Sequence, residues 1–160
     1  MKDYIIDFPN HLKHSIEIGE GIRLKKSNKQ IHNIVICGLG GSGIGGSIIH
    51  DILRPLISIP IIINKGYSIP FFVGETTLTI VCSYSGNTEE SLSSLKKCQK
   101  KGAEICVITS GGKLKSIAEK NNYNTILIPP GNPPRAMFGY SFTQLFYALH
   151  HFKIITPSFK

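Results

Sequence analysis

Apolar residues in this chain come in short unbroken runs, each stopping at glycine, proline or a small polar residue. Five such runs recur, at 34–37, 60–63, 77–82, 104–108 and 124–128. They are apolar throughout rather than alternating, the pattern of strands buried on both faces. Between them the spacing turns helical, predicting helices over 42–53, 87–101, 114–121 and 135–152. The last of these carries Phe138, Phe142, Leu145, Phe146 and Leu149 at intervals of three and four. Ahead of the first strand, residues 9–22 place Leu12 and Ile16 on one side, with Ile5 or Phe8 adding to it. Pro9 lies near the start, so a short amphipathic helix ending at Gly19 and Gly21 is expected. Helix 87–101 has the best-marked ends. Asn87 and Glu90 have capping-box spacing, Glu89 and Glu90 occupy the first turn, and lysines precede a stop at Gly102.

Strands of this kind alternating with helices predict an α/β fold: a doubly wound, five-stranded parallel sheet of flavodoxin-like layout. Residues 1–30 read as an N-terminal helix and connector, and 31–160 as the α/β domain. In such sheets ligands bind beyond the carboxyl ends of the strands. Composition is ordinary for a globular protein, with 41% hydrophobic and 18% charged residues. The net charge of +8 favours an anionic partner, either nucleic acid or a phosphorylated metabolite. The basic clusters 23–29, 96–101 and 113–115 are not interleaved with aromatics, so no nucleic acid is expected and the charges read as solvated ends and loops. Cys37, Cys82, Cys98 and Cys106 form no CxxC pair or metal-ligand cluster, so no metal is expected. Three of them fall in strand runs, as small buried hydrophobes suited to a reducing cytosol. The first residues are too polar for a signal peptide, and no apolar stretch approaches the ~20 residues of a membrane span. A cytoplasmic location away from membranes is the expectation.

Two strand ends carry unusual residues. After the first strand the chain reads GLGGSGIGGS, residues 38–47. Glycine admits a ligand close to the main chain, and the unpaired first-turn amides of the helix behind it favour an anion. Gly38, Gly40 and Gly43 match the dinucleotide fingerprint, but the acidic residue wanted ~20 positions later is absent. Asn64, Lys65 and Gly66 stand there, which leaves open an NADP 2′-phosphate met by Lys65. The alternative is a tight turn that only lets helix and strand pack. After the third strand comes SYSGNTEES, residues 83–91. Ser83, Ser85 and Thr88 surround Gly86 at a positive helix end, a compact cradle for one phosphate group. The alternative is helix capping, which one hydroxyl would satisfy. Glu89 and Glu90 complement the helix dipole there rather than act as catalysts. Following the fifth strand, residues 129–135 (PPGNPPR) deliver Arg135 where the last helix is expected to start. A cation there opposes the dipole. Position alone leaves two readings: Arg135 reaches an anionic ligand, or its stem packs on the prolines.

Taken together, GLGGSGIGG, SYSGNTEES and PPRAMFGYS resemble the sugar isomerase (SIS) domain superfamily over about residues 30–150. Within it they look most like the bifunctional phosphoglucose/phosphomannose isomerases. The resemblance implies that Ser83, Ser85 and Thr88 hold the sugar's phosphate. Gly41 and Ser42 would contact the sugar end, and Arg135 would stabilise the enediolate as the C1–C2 proton moves. It implies interconversion of glucose 6-phosphate or mannose 6-phosphate with fructose 6-phosphate, without cofactor, through a cis-enediol. Family members are tandems of two SIS domains whose glutamate base, ring-opening histidine and a lysine lie in the second, and no position here matches those. His11, His14, His32, His50, His150 and His151 fall outside the three loops and take surface or packing roles. A homodimer, or pairing with a second SIS domain, is therefore expected. The rival readings are a non-catalytic sugar-phosphate-binding regulatory module and, less favoured, an NADP-dependent oxidoreductase.

Overall fold

Side chains from a single strand enter two separate cores, which is why the strands are apolar along their whole length. The computed structural model describes residues 2–156. Residue 1 and residues 157–160, the outer ends of the expected 1–30 and 31–160 segments, lie outside the described residues. Five strands, β1 (Asn33–Cys37), β2 (Ile61–Asn64), β3 (Thr77–Ser83), β4 (Glu104–Thr109) and β5 (Asn124–Leu127), form one sheet in the order β2-β1-β3-β4-β5. Every neighbouring pair is parallel. The helices are α1 (Lys2–Ile6), α2 (Phe8–Gly21), α3 (Gly40–Leu53), α4 (Glu89–Lys100), α5 (Gly112–Lys120) and α6 (Phe138–His151).

Ile34 and Ile36 of β1 join Ile80 and Cys82 of β3 under Ile49 and Leu53 of α3 and Leu145 and Leu149 of α6. The intervening Val35 and Cys37, with Val81 and Val107, pack under Leu95 and Cys98 of α4 and Leu114 and Ala118 of α5. Each fully buried Leu or Ile contributes roughly 1.5–3 kcal/mol relative to exposure, so both helical layers are held firmly to the sheet. Helix α2 docks on α6: Gly19 lies against the Tyr147 ring, and the Gln144 amide donates to the buried Ser15 carbonyl at 2.7 Å. All four cysteines are free and buried, three in strands and Cys98 in α4. No helix among the described residues is long and apolar enough to cross a membrane.

Most element ends shift by one or two residues from expectation, and four differences matter most. A short helix, α1, precedes the expected amphipathic one. Helix α3 begins at Gly40 rather than residue 42, so most of the glycine segment is helix and not turn. The capping box of α4 does not form: Thr88 takes the N-cap position without a side-chain cap bond. Asn87 is diverted, its Oδ1 accepting the Lys113 N–H at 3.0 Å. Helix α6 starts at Phe138 rather than 135, because residues 133–137 form a tight turn with Ala136 N–H donating to Pro133 O (2.9 Å) and Met137 N–H to Pro134 O (3.3 Å). Arg135 thus stands in that turn, not in a helical first turn.

From β1 the chain passes to β2 on one side and then returns to β3 on the other. The connections leaving the carboxyl ends of β1 and β3 run to opposite faces, which opens a crevice between them.

Candidate functional site

A cavity of 230 Å³ occupies that crevice. Leu39, Gly40, Gly41 and Ser42 line it from the β1 side, Cys82 through Ser85 and Thr88 from the β3 side, and Pro134 and Arg135 from the turn before α6. The structure therefore brings together Gly41, Ser42, Ser83, Ser85, Thr88 and Arg135, whereas Lys65, the residue left open for an NADP 2′-phosphate, does not line the cavity.

Residues 83–88 are shaped by their own hydrogen bonds. The Gly86 N–H donates to both the Ser83 carbonyl and Ser83 Oγ, each at 3.2 Å. Ser83 Oγ and Thr88 Oγ1 share a hydrogen bond of 2.9 Å. With Ser83 donating in that pair, the Thr88 hydroxyl hydrogen is left for the cavity. Ser85 Oγ accepts the Asn87 N–H at 3.2 Å and keeps its own hydrogen on an exposed side chain. Because Thr88 does not cap α4, the first-turn amides have no intrahelical acceptor and, among the described residues, no side-chain one. Hydroxyl hydrogens and amides together give a donor-rich, positive-dipole pocket suited to a tetrahedral dianion.

A second loop, outside the sequence reading, buttresses this one. Gly86 has φ +67°, and a Cβ there would collide with the Gly111 carbonyl, so only glycine fits. Leu114 N–H donates to Gly86 O at 2.9 Å, and Ser110 donates to Tyr84 O through its N–H (3.1 Å) and hydroxyl (2.6 Å). The available signal was Gly111-Gly112, a third glycine-marked strand end.

At the cavity floor Cys82 is fully buried, and desolvation followed by the neighbouring Cys106 thiol pushes its pKa far above the usual thiol range. It is a neutral wall, not a nucleophile. Arg135 is exposed and, among the described residues, makes no hydrogen bond or ion pair, so its guanidinium is free to meet a ligand. No carboxylate and no histidine lines the cavity among the described residues. His14 instead meets the Tyr140 hydroxyl at 3.0 Å, and His151 the Lys25 carbonyl at 2.9 Å. Among the described residues no group of His, Cys, Asp or Glu is arranged to hold a metal ion.

Comparison with known proteins gives a match to the SIS domain over residues 29–152. The chain is 41% identical over 157 residues to a bifunctional phosphoglucose/phosphomannose isomerase of Caldicellulosiruptor bescii, covering 98% of this chain and 46% of that protein. It is also 41% identical over 118 residues to a D-glucosamine-6-phosphate 4-epimerase of Sulfolobus acidocaldarius, covering 73% of this chain and 37% of the relative. The crystal structure of a putative phosphosugar isomerase from Clostridium difficile superposes with a TM-score of 0.73 at 17% identity, over 98% of this chain and 48% of that one. The chain spans less than half the length of these curated relatives. A match that takes in all five strands and all three loops of the cavity makes this chain a member of the SIS domain family.

Proposed function

We propose that this chain is the substrate-phosphate half of an aldose–ketose isomerase interconverting glucose 6-phosphate or mannose 6-phosphate with fructose 6-phosphate. The observation that carries the reading is the meeting of the hydroxyl loop, the glycine helix and a free arginine in one small cavity. The phosphate takes the donors of Ser85, Thr88 and the first turn of α4, with Ser83 holding Thr88 in place. The sugar runs toward Gly41, Ser42 and Arg135. Once the ring is open, a base removes the C2 proton of the aldose or the C1 proton of the ketose, and charge spreads over the O1–O2 enediolate. Arg135 lies on that side of the cavity and stabilises the developing charge. No cofactor enters the scheme.

The base comes from outside this cavity, since no group lining it has the required acid–base chemistry. A second SIS domain or a second copy of the chain supplies it. Exposed isoleucines on α3, the helix that begins at the cavity, support association there. The epimerase relative narrows the inference, because it and the isomerases share a phosphorylated sugar but not the reacting carbon. Absence of a base also keeps alive a second reading, a regulatory module that binds sugar phosphate without turnover.

Thermal denaturation with fructose 6-phosphate and with NADP separates the ligand classes. A rise in Tm with the sugar phosphate alone is expected, whereas a rise with NADP alone would replace the reading by an oxidoreductase. Fusing the chain to the remaining half of the Caldicellulosiruptor bescii relative should then yield conversion of glucose 6-phosphate to fructose 6-phosphate. Binding without any turnover in that fusion favours the regulatory module.

A further inference from the structure

Residues 129–134 contain four prolines, so their backbone offers only two N–H donors, those of Gly131 and Asn132. Main-chain bonds from Ala136 and Met137 close the turn at 133–137, but among the described residues none joins 129–132, the stretch that leads to Arg135, whose own side chain has no anchor among the described residues. A side chain must tie that stretch to the rest of the site.

The Tyr84 side chain crosses from the hydroxyl loop to this segment. Its hydroxyl donates to Pro129 O at 2.9 Å and accepts the Asn132 N–H at 3.0 Å, so it spans the stretch 129–132 that no main-chain bond holds. The ring packs half-buried against the core formed with α6. The Tyr84 carbonyl is gripped twice by Ser110, which fixes the residue from behind. On the far side of the turn, the Tyr4 hydroxyl donates to Asn132 Oδ1 at 3.3 Å.

We propose that Tyr84 is a positioning residue: it clasps the arginine-bearing turn to the phosphate-binding loop, so that a ligand seated on one finds the other already in place. The role rests on the sugar-phosphate reading above. The Tyr84 hydroxyl is engaged with Pro129 and Asn132, which leaves it a positioning role. It acts through Arg135, by sparing the ligand the ordering of the 129–132 stretch that leads to that turn.

Tyr84→Phe keeps the ring and removes both hydrogen bonds, and two readouts test it. In the unliganded protein, hydrogen exchange at the Asn132 amide should accelerate by about tenfold or more, as its acceptor is lost. Unchanged exchange there overturns the clasp, whatever ligands do. In binding, inorganic phosphate reports on the hydroxyl loop, and a pentonate 5-phosphate, whose carboxylate carries charge where an enediolate would, reports also on Arg135. Tyr84→Phe should leave phosphate affinity within about twofold and weaken the pentonate phosphate by about tenfold. Arg135→Met should weaken the pentonate phosphate as well, and adding Tyr84→Phe to it should cost nothing further. Additive losses, or an equal loss for inorganic phosphate, mean general loosening and overturn the role. If the unmodified chain binds neither probe, the sugar-phosphate reading falls and the positioning role falls with it, while faster Asn132 exchange still reports the clasp as structure.

Discussion

Ser83 and Ser85 are two residues apart in sequence and do different work. Ser83 is buried and ties Gly86 to Thr88, whereas Ser85 is exposed at the cavity rim with a hydrogen to give. Ser83→Ala is expected to lower unfolding free energy by ~1 kcal/mol, the worth of a buried hydrogen bond whose Gly86 donor keeps a second acceptor. Ser85→Ala should leave stability within ~0.5 kcal/mol and instead weaken fructose 6-phosphate by ~1.5–3 kcal/mol, the range for a hydrogen bond to a charged group. Urea denaturation and titration calorimetry on both variants check the split, and equal behaviour in both assays would dissolve it. The spacing of hydroxyls around one glycine was enough to mark this loop. It could not rank the hydroxyls, because rank depends on Gly111 and Ser110, which arrive from a strand away in space and some 25 residues away in sequence.

Helix α3 shows what sequence pattern conveys about an element and where it stops. Glycines after a strand announce close approach, but not whether they form the turn or the helix. Here Gly43 is helical, and a Cβ on it would stand 2.7 Å from the Gly38 carbonyl, a backbone atom that cannot step aside. Gly41 faces the cavity, with Pro134 O the nearest atom at 3.5 Å, an ordinary contact. The same substitution should therefore have opposite signs. Gly41→Ala gains about 0.5–1 kcal/mol of helix propensity and raises Tm, while its methyl group intrudes on the sugar end and weakens binding. Gly43→Ala gains the same propensity but is overpacked by ~1–3 kcal/mol, so it lowers Tm. Thermal melts that moved both variants the same way would contradict the packing described. Strand identities were legible because two-sided burial forces unbroken apolar runs. The start of α6 and the cap of α4 were not, since prolines 133 and 134 and the Lys113 amide compete for those ends only in the folded chain.

At the scale of the molecule, the cavity and the surface are incomplete in the same direction. Among the described residues the cavity is lined by donors and a cation but by no carboxylate or histidine, and burial holds its Cys82 thiol protonated. Leading away from it along α3, Ile44, Ile48 and Ile52 recur every fourth residue and are 54%, 37% and 40% exposed. Three isoleucines in line on one helical face, starting two residues from Ser42, form an apolar stripe of the kind that marks association. On the isomerase reading proposed above, a body seated there is the source of the base. The charge on the rest of the chain keeps that contact specific, because +8 opposes random aggregation while the stripe itself is uncharged. Ile48→Lys places a charge at the centre of the stripe without touching either core. With association proposed along this stripe, it should leave the fold intact and lower the sedimentation coefficient relative to the unmodified chain at micromolar concentration. If the unmodified chain and Ile48→Lys sediment alike, the stripe on α3 is not an association surface, and the proposed docking there falls.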